Sequence, residues 1–207
     1  MGRKAIERER KKDAYKTEKW IKQLLPYFQK NGLKGITMDL VAKELNRSKT
    51  TVYEYFSSKE ELLDLMVAYK LKQIGGFEKI LNDASQSYID RCYAVLKYQA
   101  DHISDISNLF LADLREFHPD LWVRVQDFLE DAAQKIEAFY QAGIYHQEFN
   151  PIHTAILTLN DHFFFRVLTD PDFLSRHGLT LQEAFDQYLK LKFFGLIRTA
   201  AHHDTPK

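Results

Sequence analysis

Cysteine is almost missing from this chain of 207 residues, with Cys92 standing alone. No internal disulfide framework and no cysteine-built zinc site can therefore form. Proline and glycine are also sparse, at five and eight copies, and no low-complexity linker or internal repeat interrupts the chain. No apolar run approaches the roughly 18 residues that a membrane span requires. The N-terminus is charged from Arg3 to Lys16 and lacks the apolar stretch of a signal peptide. The expected compartment is a bacterial-type cytoplasm, with no membrane partner. Catalytic signatures are missing too: there is no nucleophile elbow, phosphate loop or HExxH. An enzyme is not expected, and neither catalytic residues nor a cofactor are assigned. His118, His153 and His162 make no i, i+4 pair, so no metal site is expected either.

What is present points to a packed protein with an uneven charge distribution. Hydrophobic residues make up 45% and aromatic residues 14%, too much apolar surface for a disordered tail. The formal net charge of zero hides two opposite halves. Residues 1–59 carry 15 Lys and Arg against 7 Asp and Glu, and the remainder carries 14 against 22. A half at +8 favours a polyanionic partner, while a half at −8 keeps that partner off itself.

Apolar residues recur with helical spacing from end to end, and strand signals are weak. The expectation is an all-α chain of about nine helices, an N-terminal helix-turn-helix head of three helices followed by a helical bundle. Residues 1–16 read as a basic arm, 17–60 as the head and 61–207 as the bundle. Trp20, Ile21, Leu24, Leu25 and Phe28 form the first stripe, which stops at Asn31-Gly32. Pro26 inside it predicts a kink or a late helix start. Thr37 caps a second helix with Asp39 in its first turn. After Asn46-Arg47-Ser48, a short helix runs from Lys49 to about Tyr55. Ser58 and Glu61 read as a capping box for a longer helix, and Gly75-Gly76 is the candidate hinge. Later helices are expected over Ser85–Ala100, Asp105–Glu116, from His118-Pro119 to Gly143, over Pro151–Thr169 and over Leu181–Ala201.

A short helix, a three-residue turn and a second short helix against a longer one describe a DNA-reading motif. The second helix would enter the major groove with Ser48, Lys49, Thr50 and Thr51 leading. Tyr53 and Tyr55, one turn on, would offer hydroxyls to phosphate oxygens. Lys59 would add a cation beside helix-terminal amides.

The segment from Gly32 to Leu63, GLKGITMDLVAKELNRSKTTVYEYFSSKEELL, resembles the DNA-binding signature of the tetracycline-repressor (TetR) family. Thr37 matches the entry threonine, Val41-Ala42 the apolar pair of the first helix and Ser48 the turn serine. Thr51, Val52, Tyr53, Tyr55, Phe56, Ser58, Lys59, Glu60 and Leu62 match the reading helix and the start of the next helix. The match covers about a sixth of the chain. Leu45 and Asn46 depart from the usual small residue and glycine at the turn, although Asn46 tolerates left-handed backbone. Arg47 replaces an apolar turn residue and becomes a further phosphate contact, and Thr50 replaces a frequent glycine. With Thr37, these residues complete the expected DNA-contacting set.

The resemblance implies a homodimer on a pseudo-palindromic double-stranded operator. It also implies a small-molecule effector, of unknown identity, that releases the repressor. The dimer would form through the last two long helices, with Ile156, Leu159, Leu189, Phe193 and Leu196 at the interface. The effector pocket would be lined by Phe110, Phe117, Trp122, Phe128, Phe139 and Phe163. Arg124 and Arg166 read as surface or intersubunit ion-pair partners rather than ligand anchors. A helical adaptor without DNA-binding activity is the alternative from a different class, and a flat salt dependence would favour it.

Overall fold

A computed structural model of the chain describes residues 13–197. Residues 1–12 of the arm expected over 1–16, and the part of the last helix expected from 198 to Ala201, lie outside them. The described residues form eleven helices: α1 Ala14–Asn31, α2 Met38–Leu45, α3 Lys49–Tyr53, α4 Lys59–Ile74, α5 Phe77–Leu81, α6 Tyr88–Ile103, α7 Asn108–Phe117, α8 Pro119–Tyr145, α9 Thr154–Leu168, α10 Pro171–Arg176 and α11 Leu181–Leu196. No strand occurs among them; Phe149 and Ile197 make one isolated antiparallel bridge. The all-α class holds. The expectation of about nine helices omits α5 and α10, each less than two turns long and too short for a clear apolar period.

Local chemistry sets most of the helix starts. Asp13 accepts from the backbone N–H of Lys16, so α1 begins inside the segment read as an arm, and Pro26 lies within the helix rather than at a late start. Thr37, Ser48, Ser58, Ser87, Ser107 and Thr180 cap α2, α3, α4, α6, α7 and α11 with their side-chain oxygens. Each satisfies a donor that the first helical turn would leave unpaired. Thr180 and Glu183 make a reciprocal capping box. At α4, the carboxylate of Glu61 accepts from the backbone N–H of Ser57 at 2.6 Å. Pro119 opens α8 at its first turn, where a missing N–H costs nothing.

Two cores form. In the head, α1 to α4 bury Trp20, Leu24, Phe28, Val41, Val52 and Phe56, and Phe110 and Leu114 of α7 join them. In the body, α5 to α11 bury a second cluster around Cys92, Phe139, Phe149 and Leu196. Trp122 packs against both. Gly75 and Gly76, the expected hinge, have right-handed helical backbone. A Cβ on Gly76 would overlap the Tyr98 hydroxyl, which donates to the Gln73 carbonyl at 2.5 Å. Close approach, rather than an unusual dihedral, requires glycine there.

An ionic cluster lies inside the body. Asp161 of α9 is fully buried and pairs with the buried Lys192 of α11. The same carboxylate accepts from the Tyr140 hydroxyl of α8 at 2.6 Å and from the Tyr188 hydroxyl of α11 at 2.5 Å. Burial lowers the Lys192 pKa against the opposing pull of Asp161. Burial first, and the Asp161 charge second, raise both tyrosines above their ordinary values. A charge is tolerated in such a place only when it is paired and hydrogen-bonded, so this cluster fixes α8, α9 and α11 in one register.

Candidate nucleic-acid interface and sensor cavity

The turn between α2 and α3 is built by three residues. Asn46 takes left-handed backbone at φ 51° and ψ 52°, a conformation asparagine adopts more readily than most residues. Its N–H and that of Arg47 close α2 onto Lys43 and Ala42. Ser48 then caps α3, accepting from Thr51 N–H at 3.1 Å, and its hydroxyl lies 2.8 Å from that of Thr51. Beneath the turn, Val41, Leu45, Val52 and Phe56 are buried, which holds α3 across α2.

The outer side of α3 is exposed and carries the residues expected to read DNA. Arg47, Ser48, Lys49, Thr50 and Tyr53 are exposed, and Thr51 is half-buried. Lys49 donates to Asp39 at 2.9 Å, and this contact raises the pKa of its ammonium. Held in that way, its charge stays at the start of α3. Lys59 is exposed at the start of α4, where Ser58 already accepts from the Glu61 N–H, so its ammonium rather than free amides is what this end offers a phosphate. Thr37 is committed to capping α2, its hydroxyl accepting from Leu40 N–H at 3.2 Å.

Tyr55 departs from the expectation. It is only 9% exposed, its ring centroid 4.4 Å from that of Trp20, and it belongs to the head core. Lys16 sits above this pair, its ammonium 4.8 Å from the Tyr55 ring and 5.2 Å from the Trp20 ring. That cation is not among the expected contacts, and the sequence signal for it is the i, i+4 spacing of Lys16 and Trp20.

The geometry is that of a helix-turn-helix with a free reading face, and residues 26–66 match the family described as bacterial regulatory proteins, tetR family. That stretch of the chain is a tetR-family DNA-binding segment. The chain is 24% identical to the uncharacterized HTH-type transcriptional regulator YvaF of Bacillus subtilis (strain 168), over 78% of this chain and 86% of that one. It is also 24% identical to the biofilm operon icaADBC HTH-type negative transcriptional regulator IcaR of Staphylococcus aureus, over 59% of this chain and 68% of IcaR. A TetR-family regulator of Marinobacter aquaeolei VT8 shares the fold with a TM-score of 0.68 at 19% identity, covering 87% of this chain and 90% of that one. One from Agrobacterium tumefaciens does so with a TM-score of 0.66 at 12% identity, covering 89% and 99%. TetR-family proteins act by binding DNA, not by catalysis.

Within the body lies a cavity of about 120 Å³. Phe110, Phe128 and Phe139 line it, together with Val67, Lys70, Leu71 and Ile74 of α4. Phe117 and Phe163 do not; they are 40% and 57% exposed. Trp122 lies between the two cores rather than in the lining. Arg124 donates to Asp64 at 2.6 Å, a surface pair between α8 and α4.

The expected interface residues divide by face. Ile156 and Leu159 are exposed on α9. Leu189, Phe193 and Leu196 are buried and point into the body, and the first two line the cavity. The outward apolar residues of α11 are instead Leu191 and Phe194, at 70% and 78% exposure. Phe163 and Val167 continue the α9 stripe at helical spacing. No helix among the described residues is long and apolar enough to cross a membrane.

Proposed function

We propose that the chain is a homodimeric repressor that leaves a pseudo-palindromic operator when a small molecule fills the body cavity. The observation that carries this reading is the course of α4. Its first turns bury Leu62 and Leu63 in the core that also holds Val52 of the reading helix, and its later turns contribute Val67, Lys70, Leu71 and Ile74 to the cavity wall. A ligand that favours one arrangement of this wall biases the position of α3 through a continuous helix. Repression rather than activation follows the likeness to the negative regulator IcaR.

Dimerisation supplies the second reading helix. Ile156, Leu159, Phe163, Val167, Leu191 and Phe194 leave an apolar face on α9 and α11 of the kind that a second copy covers. Two heads about one DNA turn apart then require two half-sites at that spacing.

The test is operator binding with and without a compound that raises the melting temperature of the free protein. Weaker operator binding in its presence supports effector release. Equal affinity of the compound for free and DNA-bound protein contradicts it, because such a ligand shifts no equilibrium.

A further inference from the structure

The cavity lining is chemically one-sided. Among the described residues, every lining side chain apart from Lys70, Gln99, Tyr140 and Thr169 is apolar, and neither Asp nor Glu is among them. Tyr140 and Thr169 already have partners, the hydroxyls donating to Asp161 and to the Phe165 carbonyl. Among the described residues, Lys70 is the one charged residue of the lining. It is 8% exposed, and its ammonium donates to Asp105 at 2.5 Å. Asp105 is 53% exposed and lies between α6 and α7, so its carboxylate can turn to water at little cost. Gln99, also 8% exposed, has a buried amide oxygen with no hydrogen-bond partner. Rotating the terminal amide presents its NH2 to a ligand in place of that oxygen.

We propose that the cavity takes an apolar monocarboxylate, its carboxylate replacing Asp105 on Lys70 and its body lying among the aromatic and aliphatic lining. This rests on the reading of the cavity as the effector site and names the class of effector. A cationic ligand would find no anion in the wall and would meet Lys70 directly, and an uncompensated buried charge is strongly unfavourable. A neutral apolar ligand would fill the same space but leave Gln99 unsatisfied. The carboxylate completes both polar groups. Lys70 lies on α4, so the exchange of Asp105 for the ligand occurs on the helix that leads to the reading head.

The test is isothermal titration calorimetry of the full chain with decanoate, decan-1-ol and decylamine. Decanoate is expected to bind at least about tenfold more tightly than either analogue. Lys70→Gln is expected to abolish that preference. Asp105→Asn removes the competing carboxylate and is expected to tighten decanoate binding several-fold, a change that a merely structural pair would not give. Asp105→Asn also carries the test if the Lys70 variant fails to fold. Decan-1-ol binding as tightly as decanoate, unchanged affinity in Asp105→Asn, or no decanoate binding would each overturn the proposal. Lys70-dependent decanoate binding that leaves operator affinity unchanged supports the ligand class while contradicting effector release.

Discussion

The carboxylate of Asp113, on α7, accepts the backbone N–H of Leu33 at 2.5 Å and that of Lys34 at 3.0 Å. A buried acid of the body thus holds the turn that joins α1 to α2 in the head. Gly32 beside it has φ +76°, and a Cβ there would overlap the same carboxylate. Nearby, Ser107 N–H donates to the Gln29 side chain at 2.8 Å, and the Ser107 hydroxyl to the Gln29 carbonyl at 2.6 Å. Head and body are therefore joined by directed hydrogen bonds as well as by the apolar contacts of Phe110 and Leu114.

Asp113→Ala leaves the buried Leu33 N–H without its acceptor, a loss of about 1–3 kcal/mol. Urea unfolding is expected to show a lower midpoint with an unchanged slope. A wild-type midpoint would mean that the turn is held by apolar packing alone.

The Asp161–Lys192 pair predicts non-additive substitutions. Asp161→Ala strands a buried ammonium and should cost about 3–5 kcal/mol. Replacing both partners, as Asp161→Leu with Lys192→Met, removes both charges and should fall well short of the sum of the single losses. Additive losses in a double-mutant cycle would show that the two groups do not act as a pair.

The apolar face of α9 and α11 predicts the assembly state. Phe194→Glu places a charge on a residue 78% exposed in the single chain, so the fold should tolerate it. Light scattering behind size exclusion is expected to give the dimer mass for the native chain and the monomer mass for this variant. A dimeric Phe194→Glu protein would place the interface elsewhere.

Cys92 predicts both reactivity and alkaline stability. It is fully buried, and burial pushes its thiol from 9.0 up to about 12. Thiol reagents at pH 8 are expected to label it only after unfolding. Because the folded value is the raised one, its contribution to stability is complete below pH 9 and is lost as pH rises toward about 12. Within that window the slope is about 1.4 kcal/mol per pH unit. Cys92→Ala should flatten the alkaline decline in stability; an unchanged profile would contradict the assignment.

Much of the head is legible because its signals are local. The Thr37, Ser48 and Ser58 caps lie beside the helices they start, and Asn46 is one of few side chains suited to the left-handed turn it makes. Tyr55 escapes a sequence reading because its partner, Trp20, is distant along the chain, and only the packing of α1 against the turn after α3 places the two rings together. The same limit applies in the body. Leu189, Phe193, Leu191 and Phe194 are alike in chemistry, and helix packing alone decides which pair points to the cavity and which outward. Lys192 and Asp161 carry a faint signal as charges within apolar stretches, but their pairing spans two helices. Lys70 and Asp105 likewise meet only because α4 packs beside the end of α6.

The most direct test of the central claim, that α3 reads DNA, is fluorescence anisotropy with promoter DNA flanking the gene and with scrambled DNA, at several salt concentrations. The account predicts tight promoter binding that weakens steeply with salt, and weaker binding to the scrambled duplex. Lys49→Ala should lower affinity and reduce the log–log salt slope by about one. Tyr55→Phe, altering a packed residue, should leave both nearly unchanged. Equal, weak binding to both duplexes, or a Lys49→Ala protein indistinguishable from the native chain, would contradict it.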